Sequence, residues 1–152
     1  MNRPAAFDSS NAPEAVFVME WLNASPMPPL MLLRFSVAAV WLYEGLWCKL
    51  LGGVPHQTDV VAAHPLFGKK LATAFLQTLA WVEIGLAVWV MGGWHPVLAA
   101  LAQTGLLVVM NANGLLFARH IIPDPAGMVV KNFGFLLMAW VVAAQTSLQG
   151  AP

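Results

Sequence analysis

Four apolar windows, about residues 30–51, 71–92, 96–117 and 128–147, constrain this chain more than any other feature. Each is close to the ~20 residues that an α-helix needs to cross a hydrocarbon core. A bilayer satisfies no backbone N–H or C=O, so a spanning segment is either a helix or part of a closed barrel. No segment alternates at the period of a barrel strand, and no fixed repeat runs through the chain. The breakers between the windows are "GGVPHQTDVVAAHPLFGKK", "GGWHP" and "ARHIIPDPAG". The second breaker is so short that it makes its two flanking helices antiparallel neighbours. The expected fold is all-α, a transmembrane four-helix up-down bundle over residues 30–147. Residues 1–29 are expected as an extramembrane tail, with "PEAVFVMEWLN" apolar enough for a short interfacial helix, and residues 148–152 as a second tail.

Composition agrees with a membrane solvent. The 152 residues are 59% hydrophobic and only 9% charged, against roughly 25% charged in soluble domains. Formal net charge is zero, so nothing points to nucleic acid. Lys49, Lys69, Lys70, Arg119 and Lys131 all fall on the side of the first and third loops. The positive-inside bias then places loops 52–70 and 118–128 in the cytoplasm and both termini outside, in a bacterial-type inner membrane. The single Cys48 excludes an intramolecular disulfide or a dithiol pair and reads as a packing residue.

The first window keeps three charges, Arg34, Glu44 and Lys49. A central charge costs about 2.5–3.5 kcal/mol on insertion scales, and each Leu, Ile, Val or Phe returns about 0.3–0.6 kcal/mol. The nine such residues between 30 and 50 recover roughly 3–5 kcal/mol, about the cost of two central charges. The charges therefore need partners inside the bundle. On α-helical geometry Arg34, Ala38, Trp41, Gly45 and Cys48 share a face, with Glu44 and Lys49 on its two flanks. Glu83 lies near the middle of the second window, within reach of Arg34 in depth. An Arg34–Glu83 pair is expected, with Glu44 facing the interior. Glu44 and Lys49 are five apart, a poor α-helical spacing, so Lys49 is expected to snorkel to the surface. Gln103, Asn111, Asn113 and Asn132 add polar groups from the third and fourth windows. Such a network serves either helix register or an ionisable pocket for protons, a quinone head group or a small substrate.

On the expected cytoplasmic face stand Arg119, His120, Asp124 and Lys131. Pro123 and Pro125 restrict the backbone around Asp124. Asp124 is expected to cap the fourth helix or to pair with Arg119 or Lys131. His56, Asp59, His64 and His120 show no metal-ligand spacing, so no metal is assigned. The histidines lie in loops or at helix ends rather than in the core, so no haem is expected. No phosphate loop, serine–histidine arrangement or zinc motif appears.

The stretches "VWLYEGLWCKLL" (40–51), "VEIGLAVWV" (82–90) and "NANGLLFARHIIPDPAGMVVKN" (111–132), in this order, resemble the DoxX-like family of small four-helix membrane proteins. The resemblance covers roughly residues 30–135. It implies Glu44, Lys49, Glu83, Asn113, Asp124, Lys131 and Asn132 as family-type positions. Some relatives are small subunits of quinone-linked respiratory or sulfur-oxidising complexes. The resemblance thus implies an accessory membrane subunit beside a redox partner protein, with quinone as the ligand to look for. A small transporter or permease, as a homodimer, and a structural or assembly factor are the alternatives. Neither catalysis nor its absence follows from these residues.

Overall fold

The computed structural model describes residues 28–66 and 68–149. The expected interfacial helix in "PEAVFVMEWLN" lies outside the described residues. Helix α1, Leu30–Leu42, runs on without a break into a π-helical segment, Tyr43–Leu50. A short helix α2, His56–Ala62, follows in the first loop. The remaining spans are α3, Lys69–Gly92, α4, Pro96–Phe117, and α5, Pro125–Gln149. No strand occurs among the described residues. Four helical stretches, Leu30–Leu50, α3, α4 and α5, are long and apolar enough to cross a membrane. The all-α transmembrane bundle is therefore the observed architecture.

Local chemistry explains the helix ends. Pro29 precedes α1 and its carbonyl accepts the Leu32 and Leu33 N–H groups at 2.9 and 3.2 Å. Gly93 closes α3 at φ 71, the left-handed geometry that glycine adopts without cost. His95 then takes φ 43, and Pro96 opens α4 at the position where its missing N–H costs nothing. At the other end, the Gly127 N–H donates to Asp124 Oδ1 at 2.8 Å. This capping starts α5 at Pro125, three residues before its apolar window, because the cap and not hydropathy sets a helix start.

The helices pair unevenly. α1 and its π-helical extension pack along α3, α4 packs along α5, and α1 touches α5. α3 and α4 meet only sparingly, although a three-residue turn joins them. The core lies toward that turn, where Val37, Ala38 and Trp41 interlock with Leu86, Ala87, Val90, Leu107, Ala139 and Val142. Small residues let the backbones approach. At Gly45 a β-carbon would stand 2.7 Å from the Ala80 carbonyl oxygen, so only glycine fits the contact between the π segment and α3. Phe35, Trp81, Val108, Leu116, Val130, Phe133 and Leu137 face outward, as a lipid solvent allows. Away from the turn the two helix pairs separate, and α2 bridges α3 and α4 there.

Candidate functional site

The separation leaves a cavity of about 930 Å3 in the half of the bundle away from the α3–α4 turn. Trp41 and Glu83 line it near mid-span, and His56, His64 and Lys131 line it toward the loops. Its walls include Phe75, Val109 and Leu116, all of them exposed apolar residues.

One ammonium between two carboxylates forms the polar end of the cavity. Lys49 Nζ lies 2.9 Å from Glu83 Oε2 and 3.3 Å from Glu44 Oε2. It also donates to the Glu44 carbonyl at 3.4 Å. The side chains of Lys49 and Glu83 are 1% and 0% exposed, whereas Glu44 is 37% exposed. Gln57 on α2 extends the chain, its Nε2 donating to Glu44 Oε2 at 3.4 Å. The sequence Gln57–Glu44–Lys49–Glu83 thus runs from the first loop to the middle of the bundle. Lys49 holds Glu83 through Oε2, and Glu83 Oε1 has no partner among the described residues.

Two expectations are corrected here. Lys49 does not snorkel, because the helix around it is not an α-helix. In an α-helix, residues five apart are turned about 140° from each other. Hydrogen bonds from i+5 to i instead bring such residues back to one side. The Leu51 N–H to Leu46 carbonyl bond, 2.9 Å, has this span. Glu44 and Lys49 therefore face each other, and the lysine points inward. Arg34, in turn, does not pair with Glu83. Its Nε and a terminal nitrogen donate to Thr146 Oγ1 at 3.3 and 3.1 Å, near the α3–α4 turn. Lys49 is nearer in depth and takes the carboxylate that Arg34 was expected to hold.

The remaining polar residues form separate ties rather than one network. Trp41 Nε1 donates to Gln103 Oε1 at 2.8 Å, and Gln103 Nε2 donates to the Ala99 carbonyl at 3.0 Å. This layer, together with Arg34–Thr146, closes the bundle between the cavity and the turn. Asn132 Nδ2 donates to Asn111 Oδ1 at 2.7 Å and ties α5 to α4 beside the cavity. Asn113 donates to the Val60 carbonyl at 3.4 Å and holds α2 across the mouth. Arg119 and His120 are exposed, and neither lines the cavity. Asp124 caps α5, and the described residues show no ion pair between it and Arg119 or Lys131. His56, Asp59, His64 and His120 do not converge into a metal-binding group among the described residues. Cys48 is buried in the π-helical segment, next in sequence to Lys49. Gln57 is the site residue that sequence reasoning missed, and no local signal marks it.

The DoxX-like family profile matches residues 38–140, which hold every residue of the Gln57–Glu44–Lys49–Glu83 chain. The chain belongs to the DoxX-like family. No curated protein and no solved structure matches it. This DoxX-like protein is an integral membrane protein with a four-helix core.

Proposed function

We propose that this DoxX-like protein holds the head group of a lipid-soluble quinone inside the bilayer, as an accessory subunit of a quinone-linked redox system. One observation carries the reading: a cavity of about 930 Å3 joins apolar walls, with the exposed side chains of Phe75, Val109 and Leu116, to a charged end at mid-span. Its volume lies in the range of small-molecule sites, ~300–1,000 Å3. An isoprenoid-tailed ligand entering from the membrane meets apolar side chains first and polar groups last. A tritiated azidoquinone tests this with the full chain in nanodiscs. It should label peptides carrying Phe75, Val109 or Leu116, and excess unlabelled quinone should compete. Uniform labelling of the outer helix faces, without competition, refutes the reading.

The proposal includes a topology. Loops 52–70 and 118–128 face the cytoplasm of a bacterial inner membrane, and both termini face out. The single native cysteine makes the test direct. In a Cys48→Ala background, a cysteine at Thr58 should resist an impermeant maleimide added to right-side-out vesicles, and one at Gln149 should react. The opposite pattern overturns the orientation.

A small permease is the second reading, and one feature favours it. The cavity is open toward the loops but stopped by the Trp41–Gln103 layer and Arg34–Thr146, as one access state of a carrier would be. Solute or proton flux into proteoliposomes that is lost in Glu83→Gln would support it, and absence of flux would remove it.

A further inference from the structure

Among the described residues, two buried side-chain oxygens have neither a hydrogen bond nor an ion pair: Gln57 Oε1 and Glu83 Oε1. Both are acceptors, and both residues line the cavity. The orientation of the Gln57 amide follows from its neighbour. Its Nε2 donates to Glu44 Oε2, and exchanging N for O would set two oxygens against each other. The one cation among them offers nothing further, since Lys49 Nζ already faces the Glu44 carbonyl, Glu44 Oε2 and Glu83 Oε2. The polar end of the cavity thus presents unfilled acceptors at both ends of the Gln57–Glu44–Lys49–Glu83 chain and leaves no buried side-chain donor without a partner. Buried acceptors without partners are costly, and a ligand able to donate to them relieves that cost.

We infer that the cavity selects an amphiphile whose polar head donates hydrogen bonds, a dihydroxyaromatic head rather than one that only accepts. The inference rests on the reading of the cavity as a ligand site, and it specifies that ligand as the reduced, hydroquinone form. A quinone carbonyl would bring a third acceptor to a place that already has two without partners. A hydroquinone carries two O–H donors and can satisfy Glu83 from one side. The carboxylate then acts as a fixed acceptor, which favours the reduced form by differential binding.

The test compares three short-tailed probes of one skeleton under anaerobic conditions: the benzohydroquinone, the benzoquinone and the hydroquinone dimethyl ether. Binding to the full chain in nanodiscs is measured by competition against the tritiated hydroquinone. The hydroquinone should bind about tenfold or more tighter than the ether, which has the same body but no donor. Glu83→Gln supplies an amide donor and should shrink or invert that preference. Gln57→Leu, in a half-buried position of α2, should reduce it severalfold and provides a second variant should the first not fold. Equal or weaker binding of the hydroquinone relative to quinone and ether overturns the inference while leaving the cavity a ligand site, with water on the acceptors. Failure of all three probes to bind removes the ligand-site reading itself, and the inference with it.

Discussion

Replacing Lys49 with methionine isolates the energetics of the buried cluster. Methionine keeps much of the aliphatic stem and deletes the ammonium. Lys49 is 1% exposed and its partner Glu83 is 0% exposed, 2.9 Å away, so water does not compensate either group. Removing one member of such a buried pair costs about 3–5 kcal/mol, because the other charge is stranded. Glu44, at 37% exposure, rehydrates and adds little. Nearly the whole effect therefore falls on Glu83. Adding Glu83→Gln to the Lys49→Met background removes the stranded charge, and the double variant should return to within about 2 kcal/mol of wild type. Equilibrium unfolding by SDS in mixed micelles, followed by tryptophan fluorescence, measures all corners of this cycle. A cost below about 1 kcal/mol for Lys49→Met, or a double variant equal to the sum of the singles, would refute the assignment of a dry, coupled pair.

Four further outcomes follow from specific contacts. Gly45→Val should lower the thermal midpoint, at about 1–3 kcal/mol, since its β-carbon would meet the Ala80 carbonyl backbone oxygen at 2.7 Å. Trp41→Phe removes the donor to Gln103 and strands a buried carbonyl oxygen, a loss of about 1–3 kcal/mol in the same unfolding assay. Thr146→Val deletes the acceptor of both Arg34 bonds and should cost about 1.5 kcal/mol, the low end for bonds to a charged group, without altering ligand binding in the cavity. Asp124→Ala should cost about 0.5–2 kcal/mol and Asp124→Asn much less, because asparagine still accepts from the Gly127 N–H.

The spans were legible because their signal is local: a run of apolar residues of membrane length needs no knowledge of its neighbours. Glu83 was also legible as a central group, since a carboxylate inside "VEIGLAVWV" has to be sheltered. Partner choice was not legible. Assigning Arg34 to Glu83 matched charge and depth, but it could not see that Thr146 sits opposite the arginine. The inward turn of Lys49 depends on π-helical hydrogen bonding over Tyr43–Leu50, and no residue in that stretch announces it. The constraint is tertiary: Gly45 pressed on Ala80 and a buried acid opposite. Gln57 was invisible for a similar reason, because α2 reaches the cavity through its packing on α3 and α4, which no local sequence signal announces.

The sparse contact between α3 and α4 has a mechanical consequence. The two helices are hinged at Gly93–His95 and held together at the far end chiefly through α2. Few contacts therefore resist a change in the angle between them. If the proposed ligand site is real, the angle between these helices, and with it the bilayer's thickness and lateral pressure, becomes a variable of its binding.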